Sequence, residues 1–243
     1  MTPRLRRARA ALALGAVTLL ATACEPAGTS LYDAGHVSPI AQHALTRDGS
    51  DQMVLTTGTA TLRVDAPAAN VGTNTRILLW PPATPMAADE LSCATWSAAS
   101  VPNVQQGLAL RVRRDGDLWR AVTVMKNVLY GAVWQFNVLT WDNQASPTMS
   151  PRGAVNLEPI FRPGGTVADL PWKVCAKVSG RTVTLKAWRG DEAEPAWGDA
   201  SHGGSVTLPA GWDYAGKAGW YLGHIPPGGY GAMTGLRTAA LSG

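Results

Sequence analysis

Short runs of alternating apolar and polar residues follow one another along most of the chain. From residue 52 onward these runs are rich in β-branched and aromatic side chains, and Gly, Pro, Asn and Asp separate them. A period of two places alternate side chains on opposite faces of a strand, whereas an amphipathic helix needs a period of 3.6. The pattern therefore predicts an all-β, antiparallel β-sandwich. The predicted strands are 53–57, 60–64, 76–80, 93–97, 107–113, 119–127, 133–141, 155–161, 172–178, 182–188, 205–208 and 219–225.

The strand predicted at 133–141 carries more polar chemistry than a core needs. Phe136 and Val138 fall on one side of it, and two amides and an indole fall on the other. Such a surface suits sugar binding, because a pyranose ring stacks its C–H face on an aromatic ring while its hydroxyls take hydrogen bonds. Basic side chains of the two preceding strands are expected beside it. The candidate ligand-binding residues are Arg111, Lys126, Gln135, Asn137 and Trp141.

The first 23 residues have the pattern of a bacterial export signal. Four arginines precede an apolar run at 10–20, and the small residues 21–23 supply a cleavage site. The run is too short for a spanning helix, which needs about 20 apolar residues. We therefore predict an export signal at 1–23, a flexible tether at 24–50 and a single sandwich domain at 51–238, since β-sandwiches often run to about 200–250 residues as one domain.

The charge balance argues against a nucleic-acid partner. The whole chain has a net charge of +4, and the predicted export signal holds four arginines and no lysine or acidic residue. Without that segment the net charge is zero. Nucleic-acid binding needs a basic excess to neutralise phosphates, and the predicted domain has none.

The three cysteines fit an exported protein. Cys24 directly follows the small residues 21–23 and resembles the acceptor cysteine of bacterial lipoproteins, whose thiol carries a diacylglycerol. That resemblance implies a membrane anchor at Cys24 and leaves Cys93 and Cys175 to form a disulfide, as pairs of cysteines do outside the cytoplasm. The alternative is ordinary cleavage after Ala23. The predicted location is accordingly an outward-facing membrane lipoprotein or a secreted protein.

Several segments resemble a known superfamily. Residues 182–188 (TVTLKAW), 194–197 (EPAW) and 219–224 (GWYLGH) resemble the last third of laminin-G-like jelly rolls of the concanavalin A-like lectins and glucanases. Earlier runs at 93–96, 106–111, 122–127 and 136–142 resemble an exported actinobacterial lipoprotein-type group of that architecture. The resemblance covers roughly residues 52–237. It implies a jelly roll of two curved sheets with one concave face, and leaves the activity open because one fold hosts many functions.

The enzymes of this superfamily have catalytic motifs that the chain lacks. Glucanases of the fold carry Glu-x-Asp-x-x-Glu on one strand, which has no match here. Alginate lyases use Arg-x-Glu-Leu-Arg and Gln-Val-His, whereas 110–113 (LRVR) lacks the glutamate and 135–137 (QFN) lacks the histidine. No catalytic residue is therefore assigned. The alternative is an enzyme whose catalytic residues differ from these motifs and include Tyr221 or His224.

No cofactor is predicted. The four histidines are too far apart in sequence for a zinc-binding motif, and calcium held by loop oxygens near Asp142 or Asp199 is the one metal option left open. The preferred function is a non-catalytic, lectin-like cell-envelope protein that binds a glycan of the cell wall or an extracellular polysaccharide. The alternatives are a glycoside hydrolase or polysaccharide lyase, and a structural or protein-binding envelope module.

Overall fold

The structure, a computed structural model, describes residues 29–32, 39–47, 53–69 and 72–241. These residues form strands joined by turns, longer loops and short helical segments. In chain order the strands are β1 (Thr29–Tyr32), β2 (Ala41–Thr46), β3 (Val54–Gly58), β4 (Thr61–Asp65), β5 (Arg76–Trp80), β6 (Glu90–Ala99), β7 (Gln105–Asp115), β8 (Leu118–Lys126), β9 (Gln135–Asp142), β10 (Met149–Asn156), β11 (Trp172–Ser179), β12 (Thr182–Arg189), β13 (Gly203–Thr207), β14 (Lys217–Gly223) and β15 (Tyr230–Ala240).

The strands form two antiparallel sheets. Sheet I has the order β13-β12-β11-β6-β15-β4-β3, and β1 also pairs with β15. Sheet II has the order β10-β9-β8-β7-β14-β5-β2. The chain crosses between the sheets repeatedly, as in the step from β6 to β7 and from β14 to β15. This arrangement confirms the predicted antiparallel jelly-roll sandwich.

The main core lies between the two sheets. An aromatic group at its centre joins Trp96 of β6 to Phe136 of β9, with ring centroids 5.3 Å apart, and Phe161 to Trp172 at 4.2 Å. All four side chains are fully or almost fully buried. Burying each of these rings contributes about 1.5–3 kcal/mol relative to exposure. Aliphatic residues of alternate positions fill the remaining space, such as Val183, Leu185 and Ala187 of β12.

The prediction of a strand at 155–161 is wrong. Strand β10 ends at Asn156, and a short helix α1 (Glu158–Phe161) follows it. Pro159 cannot donate to a sheet ladder and is tolerated in the first helical turn. The Asn156 side chain accepts a hydrogen bond of 3.0 Å from the Glu158 amide, which favours this ending of the strand. In the described residues, no helix has the length and apolar character needed to cross a membrane.

The sheets begin before residue 51. Within the stretch 24–50, predicted as a tether, β1 pairs with β15 and β2 pairs with β5. Ala44 of β2 packs against the main core, while Leu45 packs on the other face of sheet II. Strand β15 continues to Ala240, beyond the predicted boundary at 238. The predicted export signal and Cys24 lie outside the described residues.

The predicted disulfide is confirmed. Cys93 of β6 and Cys175 of β11 are direct partners in the ladder, with Cα atoms 4.1 Å apart. The bridge lies on the outward face of sheet I, where it packs with Trp188. The Arg237 guanidinium contacts the Cys93 sulfur at 3.4 Å. The bridge therefore joins two neighbouring central strands of sheet I.

Replacing Cys93 and Cys175 together by alanine should lower the free energy of unfolding by about 2–4 kcal/mol. The bridge links positions 82 residues apart, so it restricts the unfolded chain strongly. Urea unfolding of the double variant and of the oxidised protein measures the difference, and reduced wild type serves as the matched control. A loss below about 0.5 kcal/mol, within the range of ordinary surface substitutions, would contradict a stabilising role.

Candidate functional site

The outward face of sheet II carries a second apolar cluster. Alternate residues of its central strands point away from the main core and pack together. The buried members are Leu78, Ala109, Val112, Ala121, Met125, Leu139, Trp141 and Tyr221. These residues are at most 8% exposed, so the centre of this face is closely packed and buried; we call it the floor. Side chains that solvent can reach lie at the two ends of the strands.

Three half-buried rings meet at one end of this face. His43 of β2 stacks on Trp119 of β8, with centroids 3.7 Å apart and planes within 7° of parallel. Trp80 of β5 meets Trp119 edge-on at 5.6 Å. In a flat sheet β2 and β8 would be about 19 Å apart, because three strands separate them. Their contact therefore requires a concave face. We call His43, Trp80 and Trp119 the aromatic rim.

Amide side chains lie at the opposite end of the face. The Asn127 amide nitrogen donates to the Gln135 side-chain oxygen at 3.0 Å. Asn137, half-buried on the same side of β9, has no side-chain hydrogen-bond partner among the described residues. Beside them, the Tyr221 hydroxyl donates to the Gln105 side-chain oxygen at 2.7 Å. We call Asn127, Gln135 and Asn137 the amide patch.

Three of the candidate ligand residues share this face, in different environments. Gln135 and Asn137 belong to the amide patch and remain accessible. Trp141 is 1% exposed, and its indole nitrogen donates to the Thr123 hydroxyl at 2.8 Å. It is part of the floor and offers no open ring for stacking. The accessible indoles on this face are Trp80 and Trp119. Each lies two residues from an outward residue of its own strand, Leu78 in β5 and Ala121 in β8, so strand alternation also points it outward.

Lys126 lies on the other side of sheet II. It follows Val122 and Val124 in the alternation of β8, so its side chain points between the sheets. Only 2% of the residue is exposed, and its Nζ donates to the Gln106 side-chain oxygen at 3.2 Å. Burial lowers the pKa of Lys126 to about 7. The sequence predicted that Lys126 lies beside Asn137. In the structure it does not, because it is on the opposite side of sheet II.

Arg111 is also away from the amide patch, because β7 is irregular at this residue. Its φ is +51°, and the pairing with β8 shifts register between Leu110 and Arg113. The fully buried guanidinium donates to the Ala88 carbonyl at 2.6 Å and to the Gly180 carbonyl at 2.6 Å, and also to the Trp212 carbonyl. Its donors bind these loop carbonyls, so Arg111 does not point to the concave face.

The irregularity at Arg111 changes which later residues point outward. Ala109 is outward before it, and after it Val112 belongs to the outward cluster. Arg114 follows on the same side, with its guanidinium carbon 5.4 Å from the centre of the Trp119 ring. Strict alternation would instead place Arg111 and Arg113 outward. The extra residue thus places Arg114 beside Trp119 of the aromatic rim.

The comparisons with known proteins concern the fold. The metal-free VIP36 exoplasmic/lumenal domain aligns with a TM-score of 0.51 at 11% identity, covering 88% of this chain and 92% of that one. The chain has the concanavalin A-like jelly-roll fold. Carbohydrate-binding module CBM66 from Bacillus subtilis aligns with a TM-score of 0.48 at 7% identity, covering 82% of this chain and 95% of that one. The β-glucanase of Bacillus licheniformis aligns with a TM-score of 0.49 at 9% identity, covering 89% of this chain and 100% of that one.

Sequence comparison adds no closer relationship. No protein-family model matches the chain, and no curated protein matches it. The predicted concanavalin A-like architecture is confirmed, while membership of an actinobacterial lipoprotein group stays a prediction. Because all of these identities are low, the similarity extends to the fold alone, and the chemistry must be read from the residues of this concanavalin A-like chain.

The titratable groups of the concave face are few. The outward positions of β5, β7, β8, β9 and β14, all described strands, hold no aspartate or glutamate. Burial raises the pKa of Tyr221, and His224 lies 2.9 Å from an Arg76 nitrogen. Burial, and then the charges of Arg114 and Arg47, lower the pKa of His43 below its ordinary 6.5.

The two aspartates considered for calcium have protein partners. Asp142 lies 3.3 Å from the Arg120 guanidinium. Asp199 accepts a 2.6 Å hydrogen bond from the Ser201 hydroxyl, and this bond is the main cause of its lowered pKa. Among the described residues no group of three or more His, Cys, Asp or Glu side chains is arranged to hold a metal ion.

The carboxyl of Glu90 should make stability depend on pH. Burial raises its pKa from 4.5 to about 8, and the hydrogen bond from the Arg111 amide lowers the pKa by less than burial raises it. A raised folded-state pKa gives stability that is complete below pH 4.5 and lost as the pH rises through 8. The stability of wild type relative to Glu90→Gln should therefore fall over this window, by at most about 1.4 kcal/mol per pH unit.

Urea unfolding at pH 5 and pH 8 measures this effect. Glu158→Gln, at an exposed carboxylate paired with Arg162, is the matched control and should leave the pH dependence of wild type unchanged. Parallel pH profiles for wild type and Glu90→Gln would contradict the assignment.

Proposed function

We propose that this chain is an exported, non-catalytic cell-envelope protein that binds a glycan on the concave face of sheet II. The observation that carries the proposal is the placement of two half-exposed indoles and an unpartnered amide on one concave surface. The ligand class is a polysaccharide of the cell wall or the extracellular matrix.

The aromatic rim supplies surfaces for sugar rings. The accessible parts of Trp80 and Trp119 combine apolar ring surface with a polar N–H edge, although His43 covers one face of Trp119, and this combination binds groups with one apolar and one hydroxylated side. Arg114 adds a cation and several hydrogen-bond donors beside Trp119. Because the rings already pack on one another, stacking a sugar costs little side-chain entropy.

The amide patch supplies hydrogen bonds at the far end. Asn137 pairs with Met125 across β8 and β9, six residues from Trp119 along β8. At a rise of about 3.3 Å per residue, the patch and the rim are about 20 Å apart. A ligand that touches both is therefore an extended oligosaccharide. An amide both donates and accepts, which matches the hydroxyls of any hexose.

The composition of the face favours binding over hydrolysis. Glycosidases place two carboxyl groups about 5–9.5 Å apart across the scissile bond. The outward positions of the five described central strands hold no carboxylate. The hydroxyl of Tyr221 is buried and bonded to Gln105. These features support a binding role for the face.

Replacing Trp80 or Trp119 by alanine should weaken glycan binding at least about fivefold, the loss that marks an important interface residue. The purified domain is first screened on wall and capsular polysaccharides, and the affinity of each variant for the best ligand is then measured by calorimetry. Asn137→Ala should give a smaller loss in the same direction, because one side-chain hydrogen bond is removed.

Trp197→Ala is the matched control. This indole is half-buried on the outward face of sheet I, so its removal should leave glycan affinity unchanged. Unchanged affinity in both Trp80→Ala and Trp119→Ala would contradict the proposed site, and the absence of any polysaccharide ligand would contradict the proposed function.

The proposal places the protein at the outer surface of the cell membrane through a lipid on Cys24. Cys24→Ser should release the protein from the membrane fraction into the medium, because a diacylglycerol contributes most of the membrane affinity of such a protein. Incorporation of labelled fatty acid into wild type and the variant measures the attachment. Equal release of both proteins would instead support cleavage after Ala23.

A further inference from the structure

A cavity opens between the two sheets at the end of the sandwich where β8 terminates. Its volume is about 490 Å³, within the range of small-molecule sites. Residues from four stretches line it: 98–103 at the end of β6 and in the turn that follows, Lys126 at the end of β8, 131–133 between β8 and β9, and 167–172 leading into the start of β11. The apolar lining includes Val101, Pro102, Val133, Val167, Leu170 and Trp172.

Lys126 brings an amino group into this apolar cavity, and this group is charged below its pKa of about 7. Its Nζ lies 5.6 Å from the centre of the Trp172 ring, and one N–H is bonded to the Gln106 side-chain oxygen. The Gln106 amide is itself held by donation to the carbonyls of Ala98 and Ala232, at 3.1 and 2.9 Å. An ammonium has three donors. Two donors of Lys126 therefore have no partner among the described residues of the cavity.

The cavity lacks a carboxylate partner for this ammonium. Of the lining residues, Asp169 is the one acidic group, and its side chain is exposed. Burial is the cause of the low pKa of Lys126, with no compensating acidic neighbour. Burying an unpaired charge is costly, and an anion beside it would recover much of that cost.

We propose that this cavity binds a small carboxylate with an apolar body, such as a medium-chain carboxylic acid, with its carboxylate on Lys126. The apolar body packs against Trp172, Val133 and Leu170. Two charge-assisted hydrogen bonds from the free donors hold the headgroup, and such bonds are stronger than neutral ones. This site lies on the opposite side of sheet II from the glycan face and goes beyond the proposed function.

Calorimetry with octanoate and octanamide, at a pH below the Lys126 pKa of about 7, tests the site in the wild-type protein. The two probes have the same apolar chain, and only octanoate carries a charge. We expect octanoate to bind at least about tenfold more tightly, equivalent to about 1.4 kcal/mol. In Lys126→Met this preference should disappear. Lys173→Met, at a half-exposed lysine on the outward face of sheet I, is the control and should keep it.

Each outcome decides the proposal. Equal affinities of wild type for octanoate and octanamide would show that Lys126 anchors no carboxylate, and this comparison holds even if Lys126→Met fails to fold. Binding of neither probe would overturn the proposal. Octanoate binding that is unchanged in Trp119→Ala would show that this site is independent of glycan binding, so the two proposals fail separately.

Discussion

Which residues of β7 face the concave side depends on one irregular residue in that strand. Arg111 has a positive φ and inserts an extra position into the strand, so the outward row continues as Val112 and Arg114. Such conformations are strained for residues other than glycine and persist only where the surroundings hold them. Here the buried guanidinium joins carbonyls of three separate segments. Gly216 permits the arrangement, because a Cβ there would lie 2.4 Å from the Arg111 Cα.

The second constraint is that sheet II is buried on both faces. Val122 and Val124 of β8 point into the main core, while Ala121 and Met125 pack in the outward cluster. The central strands therefore have little accessible surface. The two proposed sites of this sheet lie at strand ends: the proposed glycan site uses the aromatic rim and the amide patch, and the proposed carboxylate site uses the inward end of β8. Both place polar groups beside indoles at the edge of a rigid core.

The regular strands could be predicted from sequence, and the irregular ones could not. Strict alternation correctly gave the common face of Gln135, Asn137 and Trp141, because the pairing of β8 and β9 has no register shift. It failed at Arg111, where an extra residue is invisible in the pattern. The burial of Trp141 also escaped prediction, since alternation gives direction and says nothing about what covers a face. Strand β15 was missed because small residues make up most of it, and the predictions also lacked β1, β2 and nearly all of β10.

Chemical-shift mapping by nuclear magnetic resonance tests the central claim, that the concave face of sheet II is the ligand surface. The labelled domain would be titrated with oligosaccharides prepared from wall and capsular polysaccharides. We expect changes at the indole N–H signals of Trp80 and Trp119 and at the side-chain amide of Asn137. Changes confined to the outward face of sheet I, around Trp188 and Trp197, would contradict it.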